Sequence, residues 1–199
     1  MVDMIGVFGG TFDPPHRAHY ALAKAAYENL HLIKVLWVPT SIPPHKSIGA
    51  AAAIEDRLGM VEVIIESDPE FELSLVDVNR PPPYYAYQTL ELLRDEHPDP
   101  LIYLMGSDSL RDLPTWKLPM RFLNACDGIG VMERAAIDHD LDILESQLPG
   151  LKEKIIMFPA PFLEISASDI RRRIREGLPY QDVVDARVAA YIELHNLYK

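Results

Sequence analysis

Gly9-Gly10-Thr11-Phe12-Asp13-Pro14-Pro15-His16-Arg17-Ala18-His19 follows an apolar run directly and leads into an alanine-rich helical pattern. It reads as a strand, a glycine turn and the first turn of a helix. Two adjacent glycines let the backbone approach a ligand closely and take φ values closed to other residues, while Pro14 and Pro15 stiffen the turn. A helix that begins there presents unpaired N–H groups and partial positive charge, which favour an anion, phosphate above all. His16 and His19 lie three apart, so both imidazoles share one face of the first helical turn and point back toward the glycines. A pair of imidazole donors beside a glycine turn can hold phosphate oxygens and stabilise the charge that grows in phosphoryl or nucleotidyl transfer. The same spacing suits part of a zinc site. Zinc needs further ligands, however, no acidic residue lies between the histidines, and the only cysteine, Cys126, is far along the chain.

Outward from this stretch, apolar spacing predicts strands at 4–8 and 35–38 joined by a helix over 16–30, with Ala18, Ala21, Leu22, Ala25, Ala26 and Leu30 on its inner positions. Such a unit places the two strands parallel. Residues 39–46 are too rich in proline for a regular element and offer Lys46 on a rigid loop. A helix over 51–67 carries Ile54, Leu58, Val61 and Ile65 on one face, and 71–76 alternates as a strand does. A loop at 79–83 precedes a helix that starts at Tyr84 and stops near His97-Pro98. Strands at 101–105, 128–132 and 155–158 complete the set, with an acidic helix over 137–148 between the last two. Ile165-Ser166-Ala167-Ser168-Asp169-Ile170-Arg171-Arg172-Arg173 opens a helix that Gly177 ends, with Ser166 and Asp169 spaced as a capping box. Its hydroxyls and guanidinium groups form a second anion site. An amphipathic helix over 182–197 closes the chain.

This alternation predicts an α/β fold: a doubly wound, mostly parallel sheet in three αβα layers, with ligands at the C-terminal ends of the strands. Residues 1–199 are expected to form one domain, with a C-terminal helical portion from about 166, since 48% hydrophobic composition supplies a core. A net charge of −11 argues against nucleic acid or an anionic membrane as partner. One cysteine allows no internal disulfide, and the N-terminal apolar stretch is too short for a signal peptide or a span, so the expected compartment is the cytoplasm. Neither Gly-x-Gly-x-x-Gly nor Gly-x-x-x-x-Gly-Lys-Ser/Thr occurs, which excludes the dinucleotide fingerprint and the P-loop.

Gly-Gly-Thr-Phe-Asp-Pro-x-His-x-x-His resembles the signature of the adenylyltransferases of the nucleotidyltransferase superfamily. Gly106-Ser107-Asp108-Ser109-Leu110 with Pro114-Thr115-Trp116, and Ile165-Ser166-Ala167-Ser168-Asp169-Ile170-Arg171, are similar to motifs of its nicotinate mononucleotide adenylyltransferase family, and the likeness spans nearly the whole chain. The resemblance implies a Rossmann-like fold and transfer of AMP from ATP to nicotinate mononucleotide, with release of pyrophosphate and Mg²⁺ screening the triphosphate. It implies His16 and His19 as catalytic residues and an ATP site of Gly9, Gly10, Thr11, Phe12, His16, His19, Ile165, Ser166, Ser168 and Arg171. It implies a mononucleotide site of Lys46, Tyr85, Thr89, Gly106, Asp108, Trp116 and Arg134, with the indole stacked on the pyridine ring. No protein-held metal is implied. The chain departs from the family pattern at Tyr84 and Ala86, where relatives carry small hydroxyl residues, and at Ala135 and Ala136, where they carry proline and glycine. Three alternatives stand: the amide mononucleotide as acceptor; phosphopantetheine as acceptor, which would share the first motif although segment 106–116 fits the nicotinate family better; or, motivated by these changes, a regulator that binds ATP without catalysis. The oligomeric state is open, a homo-oligomer included.

Overall fold

In the computed structural model, residues 3–40, 51–133 and 141–199 are described. Lys46 and Arg134 lie outside the described residues, as do Ala135, Ala136 and the start of the expected acidic helix.

The strands are apolar on both faces because both faces are covered. They are β1 (Ile5–Gly10), β2 (Lys34–Pro39), β3 (Phe71–Leu73), β4 (Leu101–Gly106), β5 (Gly128–Met132) and β6 (Ile155–Phe158). All pairings are parallel, in the order β3-β2-β1-β4-β5-β6. Alternation sends Trp37, Ile102 and Leu104 to one face, against α1 (Arg17–Asn29), α2 (Ile54–Ile65), α8 (Ala167–Arg175) and α9 (Ala186–Leu194). It sends Val7, Leu36, Tyr103 and Val131 to the other, against α3 (Ala86–Glu96), α4 (Ser107–Asp112), α5 (Pro119–Ala125), α6 (Leu141–Gln147) and α7 (Leu151–Lys154). The expected three-layer, doubly wound fold is therefore present, with a sheet parallel throughout.

Because α1 and α2 cover one face and α3 the other, the strand order reverses between β1 and β4. Open α/β sheets bind ligands in the crevice at such a point, and the C-terminal ends of these two strands carry Gly9, Gly10 and Gly106.

Several elements differ from the sequence reading. The strand expected over 71–76 pairs only as far as Leu73, because the Leu75 carbonyl accepts N–H groups from Val78 and Asn79 in a turn. The closing helix is shorter than 182–197: Asp185 accepts the Arg187 N–H and starts it at Ala186. α4, α5 and α7 were not expected, being too short to show an apolar period. The inner face of α2 consists of Arg57, Met60, Val61, Ile64 and Ile65 rather than Ile54 and Leu58. A buried arginine takes a place that apolar spacing assigns to a hydrophobe. Among the described residues no helix is long and apolar enough to cross a membrane.

Candidate active site

Neither Gly9 nor Gly10 takes a positive φ, contrary to the reading of the glycine turn; the left-handed residue is Phe12, at φ 48°. The glycines answer a need for space. A Cβ on Gly9 would lie 2.8 Å from the Tyr103 hydroxyl oxygen, and one on Gly10 would lie 2.8 Å from the Phe12 ring. A left-handed non-glycine residue costs about 1–2 kcal/mol. Burial of Phe12 against Phe8 and Trp37, with ring centroids 5.4 and 5.1 Å away, offsets that cost.

His16 is the N-cap of α1, and its backbone N–H donates to Nδ1 of His19 at 3.3 Å. The rings stack with centroids 3.7 Å apart and 19° between planes, so the convergence expected from their spacing is present. A neutral His19 that accepts at Nδ1 carries its proton on Nε2, which makes Nε2 its donor. His16 is only 5% exposed. Burial pushes its pKa down to about 4, partly opposed by a backbone hydrogen bond. The free protein thus holds His16 neutral near neutral pH, with one N–H rather than two.

This depressed pKa makes stability depend on pH. Between about 4 and the ordinary histidine value near 6.5, the unfolded chain binds more protons at this position than the folded one, so stability rises with pH across that window and is lost as pH falls through it. We expect acidification from about pH 6.5 to 4.5 to cost about 2–3 kcal/mol through His16. Urea unfolding of the wild type and of His16→Gln at both pH values measures it: the wild type should lose that much more than the variant. Equal losses would show that His16 is not held neutral.

Around these histidines the structure builds a brace that the sequence reading missed. The Asp13 carboxylate is 3% exposed. It accepts the Ala51 and Ala52 N–H groups at 2.7 and 3.2 Å and the Tyr198 hydroxyl at 2.8 Å. Burial, followed by the Asp13 charge, raises the Tyr198 pKa, so its hydroxyl stays protonated. Arg171 donates to the Asp13 carbonyl at 2.6 Å and lies 3.7 Å from the carboxylate. Arg57, 1% exposed, donates to the Thr11 and Thr40 carbonyls, both at 2.7 Å, tying the exits of β1 and β2 together. A guanidinium cannot shed its charge, so its burial depends on such acceptors. The sequence holds one signal for Arg57, a charge in the middle of an apolar helical face; Tyr198 carries none.

At the second anion motif Ser166 caps α8, its Oγ accepting the Asp169 N–H at 3.2 Å and lying 3.1 Å from Ser168 Oγ. Only half of the expected capping box forms, because Arg172 and Arg173 take the Asp169 carboxylate, at 2.6 and 2.7 Å. Arg171 alone of the three turns inward, as successive helical positions require.

Two cavities open at the strand ends. The larger, of about 740 Å³, lies between the β1–α1 turn and α8. It gathers Gly9, Thr11, Phe12, His16 and His19 from one side and Ile165, Ser166, Ser168 and Arg171 from the other, so nine of the ten residues expected around ATP meet there. The smaller, of about 180 Å³, is walled by Tyr84, Tyr85, Tyr87, Trp116 and Phe122. Gly10, the tenth, lines this one, with Tyr85, Thr89 and Trp116 of the expected mononucleotide set. Gly106 and Asp108, expected on the mononucleotide side, line the larger cavity instead, because α4 starts directly where β4 ends beside β1. A Cβ on Gly106 would meet nothing within 4 Å, so this glycine leaves open space. Thr89 reaches the pocket wall, but its hydroxyl donates to Asp77 at 2.8 Å. Arg80 donates to the same carboxylate at 2.9 Å. Burial pushes the Asp77 pKa up, against these two partners. Gly9, Thr11, Tyr103 and Trp116 line both cavities and form the neck between them.

A cavity with two helix N-termini and basic side chains beside a flat aromatic pocket can bind a polyphosphate and a planar ring with their reacting ends together. Fold and site define a nucleotidyltransferase of the cytidylyltransferase-like kind, whose family model matches residues 7–173. The "Probable nicotinate-nucleotide adenylyltransferase" of Thermomicrobium roseum is 42% identical over 196 residues, which cover 98% of this chain and 91% of that protein. The one from a Roseiflexus species is 38% identical, covering 98% of each. The chain belongs to the nicotinate-nucleotide adenylyltransferase family. Plasmodium falciparum nicotinic acid mononucleotide adenylyltransferase, solved with NaAD, shares the fold at a TM-score of 0.77 and 23% identity, over 98% of this chain and 97% of that one.

Proposed function

We infer that the chain transfers AMP from ATP to nicotinate mononucleotide, giving nicotinate adenine dinucleotide and pyrophosphate in NAD biosynthesis. The carrying observation is the junction of a phosphate-suited cavity and an aromatic pocket at the Gly9–Trp116 neck. A 5′-phosphate oxygen of the mononucleotide attacks the α-phosphorus of ATP. The new P–O–P bridge forms as the bond from the α-phosphorus to the bridging oxygen breaks, and the electron pair leaves with pyrophosphate. No covalent intermediate on the protein is needed.

His19, through Nε2–H, and His16 donate to oxygens of the reacting phosphates, where charge builds in the transition state. The N-terminus of α1 adds its dipole. Ser168 and the N-terminus of α8 hold the pyrophosphate side, while Arg171 adds positive charge from a position fixed by Asp13. Among the described residues no three His, Cys, Asp or Glu side chains gather to hold a metal. We assign Mg²⁺ to the substrate, arriving as Mg-ATP to neutralise the triphosphate, and we place the reaction in the cytoplasm.

The test is pyrophosphate release from Mg-ATP with nicotinate mononucleotide, nicotinamide mononucleotide and phosphopantetheine in parallel, with product masses recorded. The expected result is fastest turnover with the acid mononucleotide. ATP binding without turnover of any of the three would replace the enzyme with a regulator.

A further inference from the structure

Tyr103 stands on the third residue of β4, and its ring packs edge-on against Trp116 and Phe122, with centroids 6.1 and 5.0 Å away. The residue is 8% exposed. Its hydroxyl reaches the backbone of Gly9, where no Cβ could fit. Tyr103 lines both cavities, and its oxygen has no hydrogen-bond partner among the described residues. The oxygen is open to the cavities rather than sealed, so in the free protein water can hydrate it and a ligand oxygen can take that water's place. Three other polar side chains of the pocket are engaged or sealed: Thr89 with Asp77, Asp77 with Arg80, and the Thr40 hydroxyl closed off from the cavity. Burial, and after it the Asp77 charge, push the Tyr103 pKa up, so the hydroxyl keeps its proton.

We propose that Tyr103 is a specificity-determining residue: its hydroxyl donates a hydrogen bond to an oxygen of the mononucleotide acceptor at the neck between the two cavities. This rests on the acceptor assigned above. The oxygen belongs either to the ring carboxylate or to the sugar that crosses the neck, and the two sources respond differently to removal of the hydroxyl.

The experiment is steady-state kinetics of wild type and Tyr103→Phe with Mg-ATP and each of the acid and amide mononucleotides, alongside thermal unfolding. Phenylalanine keeps the ring contacts, and the lost hydroxyl had no partner, so the unfolding temperature should stay within about 1 °C. KM for nicotinate mononucleotide should rise about tenfold, with kcat and the KM for ATP changed less than about twofold. A rise larger for the acid than for the amide assigns the bond to the ring carboxylate; an equal rise assigns it to the sugar. An unchanged acceptor KM, or a rise confined to ATP, overturns the proposal while leaving the function intact. A wild type that turns over neither mononucleotide overturns both.

Discussion

His19→Ala should lower kcat by about 10²–10³-fold while leaving the unfolding temperature nearly unchanged. His19 stacks on His16 and takes the His16 N–H at Nδ1, which in the neutral ring makes Nε2–H the donor proposed for the reacting phosphates. Removing a preorganised donor from a water-poor site costs far more in the transition state than in the ground state, where a triphosphate keeps its other contacts. KM for ATP should therefore move by less than about fivefold. His19→Asn distinguishes donation from packing, since an amide can donate from nearby and should recover part of the loss. Stopped-flow or coupled pyrophosphate measurements on the three proteins decide it. A His19→Ala enzyme with near-normal kcat would remove the histidine pair from the mechanism, whatever its effect on ATP binding.

What the sequence discloses of this site follows from how local the cause is. His16 and His19 are three residues apart on one helix, so a single local geometry places them. Ser166 reads as an N-cap because the hydrogen bond to Asp169 spans three residues. The strands were legible because both faces of a covered sheet are apolar. The brace was not legible, because its contacts join distant segments: Asp13 to Tyr198 across 185 residues, Arg171 to Asp13 across 158, Arg57 to Thr11 across 46. The glycine pair was read for conformational freedom when its cause was steric. Tyr103 and Phe12 occupy the places a Cβ would take, and only the assembled sheet brings Tyr103 to Gly9. Thr89 shows the converse: a hydroxyl in a binding motif is engaged by Asp77, a partner twelve residues away in a loop whose path periodicity does not describe.

The second large effect is expected at Asp13, which no local motif marks as structural. Asp13→Ala removes the common acceptor of two backbone N–H groups and the Tyr198 hydroxyl, and it removes the carboxylate near Arg171. Leaving the buried Ala52 N–H, the partly buried Tyr198 hydroxyl and the Ala51 N–H without their common acceptor should cost about 3 kcal/mol in all, most of it at the first two. For a chain of this size that is a fall of roughly 10 °C in unfolding temperature. Activity should fall further than stability explains. At temperatures where the variant remains folded, kcat should drop at least about 10-fold, because a displacement near 1 Å at the phosphate site is costly. Tyr198→Phe deletes one arm only and should cost about 1 kcal/mol, with turnover changed less than about threefold. The pair separates bracing from chemistry: if Asp13→Ala and Tyr198→Phe lose stability in that proportion while kcat falls only in the former, Asp13 holds the geometry of the His16–Arg171 cavity. If the alanine variant keeps both its unfolding temperature and its turnover, the contacts at Asp13 contribute nothing to either, and the path of the β1–α1 turn must be fixed by Phe12 and Arg57 alone.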